Sequence, residues 1–303
     1  MKRRKFLKQA SYGMASLGFA GAASAQGQNR NMQGGRLPYK IGIRQASLRN
    51  PEDETEGMIA DFDTFKVARD IPGITGVELQ VTNGSPNMHD FSVARRYKAE
   101  AHRWGLDIPT TAGVWSHPQW GPHTALDLMN SIRASEIVGA RIMLIAFFRD
   151  DAPDMSSEES YGPVVSVLRE IAPKAQEAGI ILGLENSLSP QENKSLVDMV
   201  DHPAVKVYYD LDNMYNYGYG EAAVPGIELL GNERIATVHV KNNGRLLQDD
   251  WRIDWPAAFK ALSGIAYDGW LIFETRHESH EQCKAMTKEN IALIEQHFRP
   301  PRG

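Results

Sequence analysis

Five side chains with chemical potential stand where apolar runs stop: Glu78, Glu185, Asp210, His239 and Glu274. The clearest is Gly179-Ile180-Ile181-Leu182-Gly183-Leu184-Glu185-Asn186, an almost wholly apolar stretch that ends in a carboxylate. A short run of this kind reads as a strand buried on both faces of a parallel sheet, and a charge at its end belongs at the mouth of that sheet. If the five ends converge, four acids and one imidazole meet in a mostly dry space. They must then be protonated in part or neutralised by a cation. The set Glu185, Asp210, His239 and Glu274 offers three carboxylates and one imidazole. Such a set suits one divalent ion, Mn²⁺ first, with Mg²⁺, Co²⁺ and Zn²⁺ as alternatives. It contains no thiolate, which argues against a purely structural zinc. Asp212 competes with Asp210, but Asp210 directly ends the run Val205–Tyr209. The plainer readings are a Glu185 salt bridge to an Arg or Lys and a hydrogen-bonded core position for His239.

The elements that would position these groups alternate along the chain. Strand candidates are Tyr39–Ile43, Gly76–Leu79, Leu106–Ala112, Arg141–Phe147, Ile180–Leu184, Val205–Tyr209, Ile235–Val240 and Gly269–Phe273. Helical patterns fall at Glu54–Arg69, Phe91–Trp104, Thr124–Val138, Tyr161–Ala178, Lys194–Val200, Pro225–Leu230, Trp255–Leu262 and Ser279–Phe298. Glycines 105, 139 and 179 follow three of them as stop signals. Repeated right-handed β-α-β units of this kind close into an α/β fold, a (β/α)8 TIM barrel forming a single domain over residues 37–303. An open doubly wound sheet would carry a glycine-rich phosphate loop after the first strand, and Gly42-Ile43-Arg44-Gln45 is not one.

Four motifs in order then carry a resemblance: Gly183-Leu184-Glu185-Asn186, Asp210-Leu211-Asp212-Asn213, Ile235 to Lys241 with its His-x-Lys ending, and Gly269-Trp270-Leu271-Ile272-Phe273-Glu274. Together they resemble the xylose isomerase-like barrels of the sugar (phosphate) isomerase/epimerase group, over almost the whole chain after the leader. The resemblance implies that Glu185 and Glu274 serve both as metal ligands and as proton-transfer bases on opposite faces of a sugar. It implies a substrate contact for Arg245, six residues after the histidine. It also implies one for Asn213, where the related ketose 3-epimerases have a histidine. The chemistry expected is proton abstraction α to a carbonyl through an enediolate that a cation stabilises. The alternative is a lyase or dehydratase, in which the same carbanion expels a β-substituent from a keto sugar, keto-glycoside or inosose.

Other polar groups near the strand ends read as substrate contacts. Glu78 fits a contact to substrate or to a ligand better than it fits ligation. His117 follows the third strand between Trp115 and Trp120, and Lys241 lies two residues after His239 on the same strand face. Trp115, Phe147, Phe148 and Tyr215 either stack on a sugar or fill space.

The first 25 residues begin Lys2-Arg3-Arg4-Lys5-Phe6-Leu7-Lys8, continue through a Gly/Ala-rich run and end in Ala23-Ser24-Ala25. This resembles a cleavable twin-arginine (Tat) signal, which implies the Tat machinery as a partner and a periplasmic or otherwise exported protein. An ordinary secretory signal or an uncleaved anchor is the competing reading, although the run is too short for a stable membrane anchor. Residues 26–36 read as a flexible Gly/Asn/Gln-rich leader. Removing residues 1–25, with five basic side chains and no acidic one, takes the net charge from −5 to −10. A chain this acidic, with nine histidines mostly off the strand ends, fits neither nucleic-acid binding nor a three-zinc nuclease. The lone cysteine, Cys283, excludes an internal disulfide. A small carbohydrate is the expected partner. Export favours an unphosphorylated one, and a homo-oligomer is compatible with the sequence. A non-catalytic sugar-binding barrel is the remaining reading of a different class.

Overall fold

Runs such as Ile-Met-Leu-Ile-Ala-Phe are too apolar to face water on either side, and they pair with one another. In the computed structural model, which describes residues 39–48, 62–82, 86–115, 120–241 and 243–298, eight parallel strands close into a barrel in chain order. They are β1 (Lys40–Arg44), β2 (Gly76–Gln80), β3 (Thr110–Trp115), β4 (Ile142–Phe147), β5 (Ile181–Asn186), β6 (Val205–Asp210), β7 (Ile235–Val240) and β8 (Trp270–Phe273). Pairing of Lys40 to Ile43 with Trp270 to Phe273 joins the last strand to the first. The expected TIM barrel is the fold observed.

Outside the strands, the described helices are α1 (Thr64–Arg69), α2 (Phe91–Trp104), α3 (Pro122–Val138), α4 (Glu158–Glu177), α5 (Pro190–Val200), α6 (Leu211–Asn216), α7 (Gly220–Ala223), α8 (Pro225–Arg234), α9 (Trp255–Gly264) and α10 (His280–His297). The main apolar core runs between strands and helices, with Leu182, Leu184, Val205, Val207, Leu168 and Leu196 among its members. A smaller cluster of Ala112, Ile142, Leu144, Ala146, Tyr208 and Ala236 is separate from it. The register pairs Leu144 with Gly183 and Ala146 with Glu185, so the face carrying Glu185 is the barrel interior. Among the described residues no helix is long and apolar enough to cross a membrane.

Several boundaries differ from expectation for identifiable reasons. The third strand starts at Thr110, not Leu106, because Pro109 has no N–H to give a ladder; before it, Asp107 forms an isolated bridge to Gly76. The fifth helix begins four residues early, at Pro190. Ser189 and Glu192 form a reciprocal capping box there, and a proline in the first turn is well tolerated. Helix α6 follows Asp210 without a loop, which the residue pattern had not suggested. The stop signals hold: Gly105 (φ 63°) and Gly139 (φ 88°) adopt the left-handed conformation that ends α2 and α3. The signal, the leader, residues 54–61 of the first expected helix, and His117 lie outside the described residues.

Candidate active site

Strand geometry places each candidate ligand. Glu185 is the second-last residue of β5, Asp210 the last of β6 and His239 the second-last of β7. Glu274 follows β8 directly, its N–H held by the Val240 carbonyl at 3.0 Å. One ligand atom from each of the four lies within 4.8 Å of the others. His239 Nδ1 is 3.2 Å from Glu185 Oε1, 3.2 Å from Glu274 Oε2 and 3.7 Å from Asp210 Oδ2. The expected metal set therefore comes together, although it is drawn from strands up to 89 residues apart in sequence between Glu185 and Glu274.

The donors fit a divalent cation. Asp210 Oδ2 and Glu274 Oε2 are buried and accept no aligned hydrogen bond. A buried carboxylate oxygen in that state calls for a charge partner. Here the Lys241 ammonium supplies one, 2.7 Å from Asp210 Oδ2, 3.1 Å from Glu274 Oε2 and 3.9 Å from Glu185 Oε1. Lys241 thus joins the acidic cluster directly. Three hard oxygen donors and one imidazole suit Mn²⁺ or Mg²⁺ chemistry better than thiophilic metals.

Beneath the cluster, Glu78 is fully buried. Its carboxylate meets His239 Nε2 at 3.2 Å, accepts the Thr110 hydroxyl at 2.7 Å and takes a very short hydrogen bond from Tyr208. Glu78 accordingly supports the imidazole, the carboxylate–histidine pairing that fixes a ligand's tautomer, and is not among the residues that line the cavity. Burial alone would raise its pKa, but His239 and Arg44 outweigh burial and hold it at about 2. For His239 burial acts downward, and the surrounding Glu78, Glu274 and Glu185 raise it well above its ordinary value. Burial raises the Glu185 pKa. Asp210 and Glu274 go down despite burial, Asp210 mainly through Lys241 and Glu274 mainly through Arg44.

Two functional residues escaped the sequence reading. Arg44, the last residue of β1, is buried between Glu274, with which it makes a short ion pair, and Glu78, at 3.5 Å. The strand-end rule that found the acids would have found it had bases been included. Tyr208 lies two residues before Asp210, so strand alternation puts both on the interior face.

Asn213 is at the site as expected: its Nδ2 donates to Glu185 Oε1 at 2.9 Å, and its Oδ1 accepts from Lys241 at 3.3 Å. Asp212, the rival to Asp210, turns away to Arg252 (2.8 Å), Asn243 (2.6 Å) and Asn216 (2.9 Å). A cavity of about 510 Å³ opens over the centre, lined by Arg44, Asp212, Asn213, Lys241, Glu274 and Thr275 among others. Thr275 Oγ1 is 2.6 Å from His277 Nε2, and burial depresses that histidine to about 4. Arg245 is exposed in the turn after β7 and is not among the lining residues, so the structure does not bring it to the site. Phe147 is buried edge-on against Trp120, Phe148 stacks on Tyr217, and Tyr215 meets Trp251.

Solved structures share this architecture. A D-psicose 3-epimerase from Clostridium cellulolyticum H10, determined with D-tagatose, aligns over 86% of this chain and 99% of its own, with 17% identity and a TM-score of 0.68. A 3-keto-D-glucoside 4-epimerase from E. coli aligns over 85% and 99%, with 17% identity and a TM-score of 0.61. A sugar phosphate isomerase/epimerase from Parabacteroides distasonis ATCC 8503 aligns over 86% and 96%, with 14% identity and a TM-score of 0.62. At these identities the likeness establishes the fold. A comparison with curated proteins gives no match. The model of the xylose isomerase-like TIM barrel family matches residues 65–297, and the chain belongs to that family.

Proposed function

We propose that this protein is a divalent-metal-dependent carbohydrate isomerase or epimerase that removes a proton α to a carbonyl and returns one to the resulting enediolate. The observation that supports this most directly is the pair Glu185 and Glu274. Both carboxylates stand 3.2 Å from one imidazole nitrogen, on strands three apart around the barrel. Two carboxylates so placed offer a proton acceptor and a proton donor to a ring held between them. The names of the structural neighbours, sugar epimerases and isomerases, point the same way.

Glu185, Asp210, His239 and Glu274 would hold the cation, with Mn²⁺ as our first assignment. When bound, it supplies Lewis-acid polarisation of the carbonyl and the neighbouring hydroxyl. The side chains do the rest. Glu274 lines the cavity and takes or returns a proton there, while Arg44 holds its other oxygen in place. Glu185 is covered by the Asn213 amide, which keeps bulk water from it. Lys241 points its ammonium at the same oxygens and can neutralise charge that develops on substrate oxygen. The signal-like residues 1–25 lead us to propose an exported enzyme and an unphosphorylated sugar.

Incubation of the purified protein with a panel of ketoses and keto-glycosides in D₂O tests this. Solvent deuterium should enter recovered sugar, and Glu274→Gln or Glu185→Gln should lower exchange about 10²- to 10⁴-fold with the fold intact. Release of a new fragment without exchange into recovered sugar would mean elimination. Full exchange in both variants would remove the assigned roles.

A further inference from the structure

One exposed aromatic, outside the cavity lining but next in sequence to Arg252, which bonds the cavity residue Asp212, has no part in the chemistry above. Trp251 is 73% exposed, more than any other large hydrophobic side chain among the described residues. An indole this open leaves a ring face available for stacking. The remaining exposed large apolar groups, Leu126, Met129 and Leu229, sit on α3 and α8, so Trp251 stands alone in its loop.

Its surroundings are rigid. The ring stands edge-on to Tyr215, with centroids 5.8 Å apart and an interplanar angle of 89°. The next residue, Arg252, is clamped by both oxygens of Asp250 at 3.2 Å and by Asp212 at 2.8 Å, and its guanidinium lies 5.4 Å over the Tyr215 ring. Asp212 also gathers the amides of Asn216 and Asn243. Asp212, Asn216 and Asn243 line the same cavity as Glu274 and Lys241. The open indole thus stands against Tyr215 and beside Arg252, whose bond to Asp212 reaches the wall of the cavity.

That combination matches one kind of ligand. A pyranose ring has a face of weakly positive C–H bonds, which suits the negative face of an indole. Its rim of hydroxyls suits amides, each of which keeps a second N–H and an oxygen beyond the bond to Asp212. We propose that Trp251, with Asn216 and Asn243, forms an outer subsite for a second sugar ring. The substrate is then a glycoside or disaccharide whose reacting ring lies against Glu274. The substrate assignment rests on the sugar isomerase reading above; the subsite itself is testable without turnover.

Isothermal titration calorimetry of wild type, Trp251→Ala and Trp251→Phe with maltose and cellobiose, and with glucose and fructose as single-ring controls, tests it. The expected result is a Trp251-dependent response at least tenfold tighter for two-ring sugars, lost in Trp251→Ala and largely restored in Trp251→Phe. Equal affinity for one-ring and two-ring sugars overturns the subsite, as does equal weakening of both by Trp251→Ala. A Trp251→Ala variant whose only change is oligomeric state in light scattering overturns it too, and assigns the indole to contact between copies. Deuterium exchange into a free ketose without the two-ring preference removes the subsite and leaves the isomerase. The two-ring preference without exchange into any sugar supports the subsite and removes the isomerase.

Discussion

Glu78 illustrates how much of this site lies below the groups that would touch a substrate. It does not line the cavity, yet it contacts His239 and shares Arg44 with Glu274. Glu78→Gln keeps the size but removes the charge that holds the imidazole N–H. Divalent-ion affinity should fall about 10- to 100-fold by titration calorimetry with Mn²⁺, while circular dichroism stays unchanged. Glu78→Ala should go further and lower stability by about 3–5 kcal/mol in denaturant melts, because Arg44 loses a buried partner. Unaltered affinity in both variants would return Glu78 to a packing role. Arg245 differs at this scale: the family resemblance implied a contact for it, and it stands exposed in the turn after β7, outside the cavity lining.

At the scale of elements, the interior face depends on a small residue beside a large one. A Cβ on Gly183 of β5 would approach the Tyr208 ring on β6 to 3.0 Å, so the glycine leaves room for the tyrosine that reaches Glu78. Gly183→Ala should cost about 1–3 kcal/mol in thermal or denaturant unfolding and weaken ion binding with it. A neutral outcome would mean that Tyr208 can shift freely. The order of strands, the barrel and all four candidate ligands were legible in the chain, because buried parallel strands are continuous apolar runs and a charge at their end is conspicuous. Helix α6 was not legible, since Leu211 to Asn216 reads as loop until Asp210 is seen to cap it through the Asn213 N–H. For Glu78 the chain left a contact to substrate and a contact to a ligand both open, because the apolar run did not show that β2 continues to Gln80 and buries the carboxylate.

For the molecule as a whole, the buried acids bear on stability. Lys241, Arg44 and His239 balance Glu185, Asp210, Glu274 and Glu78 within one network. Chelator-treated protein should therefore keep its native circular dichroism. A divalent ion at about a hundred times its Kd should add about 2.7 kcal/mol, seen as a rise of several degrees in Tm by scanning calorimetry. Lys241→Met should lower the Tm of chelated protein more than that of loaded protein. Unfolding on chelation would show instead that the cationic side chains do not suffice.

The capping of α6 has one further outcome. Asp210 commits Oδ1 to the Asn213 backbone N–H at 3.0 Å, while Oδ2, paired with Lys241 at 2.7 Å, is the oxygen turned toward the other candidate ligands. A chelating grip by this carboxylate would have to share Oδ1 with the helix start, which favours binding through Oδ2. Under the proposed function, a cation held through Oδ2 alone would leave more of its coordination to substrate oxygens than a chelating Asp210 would.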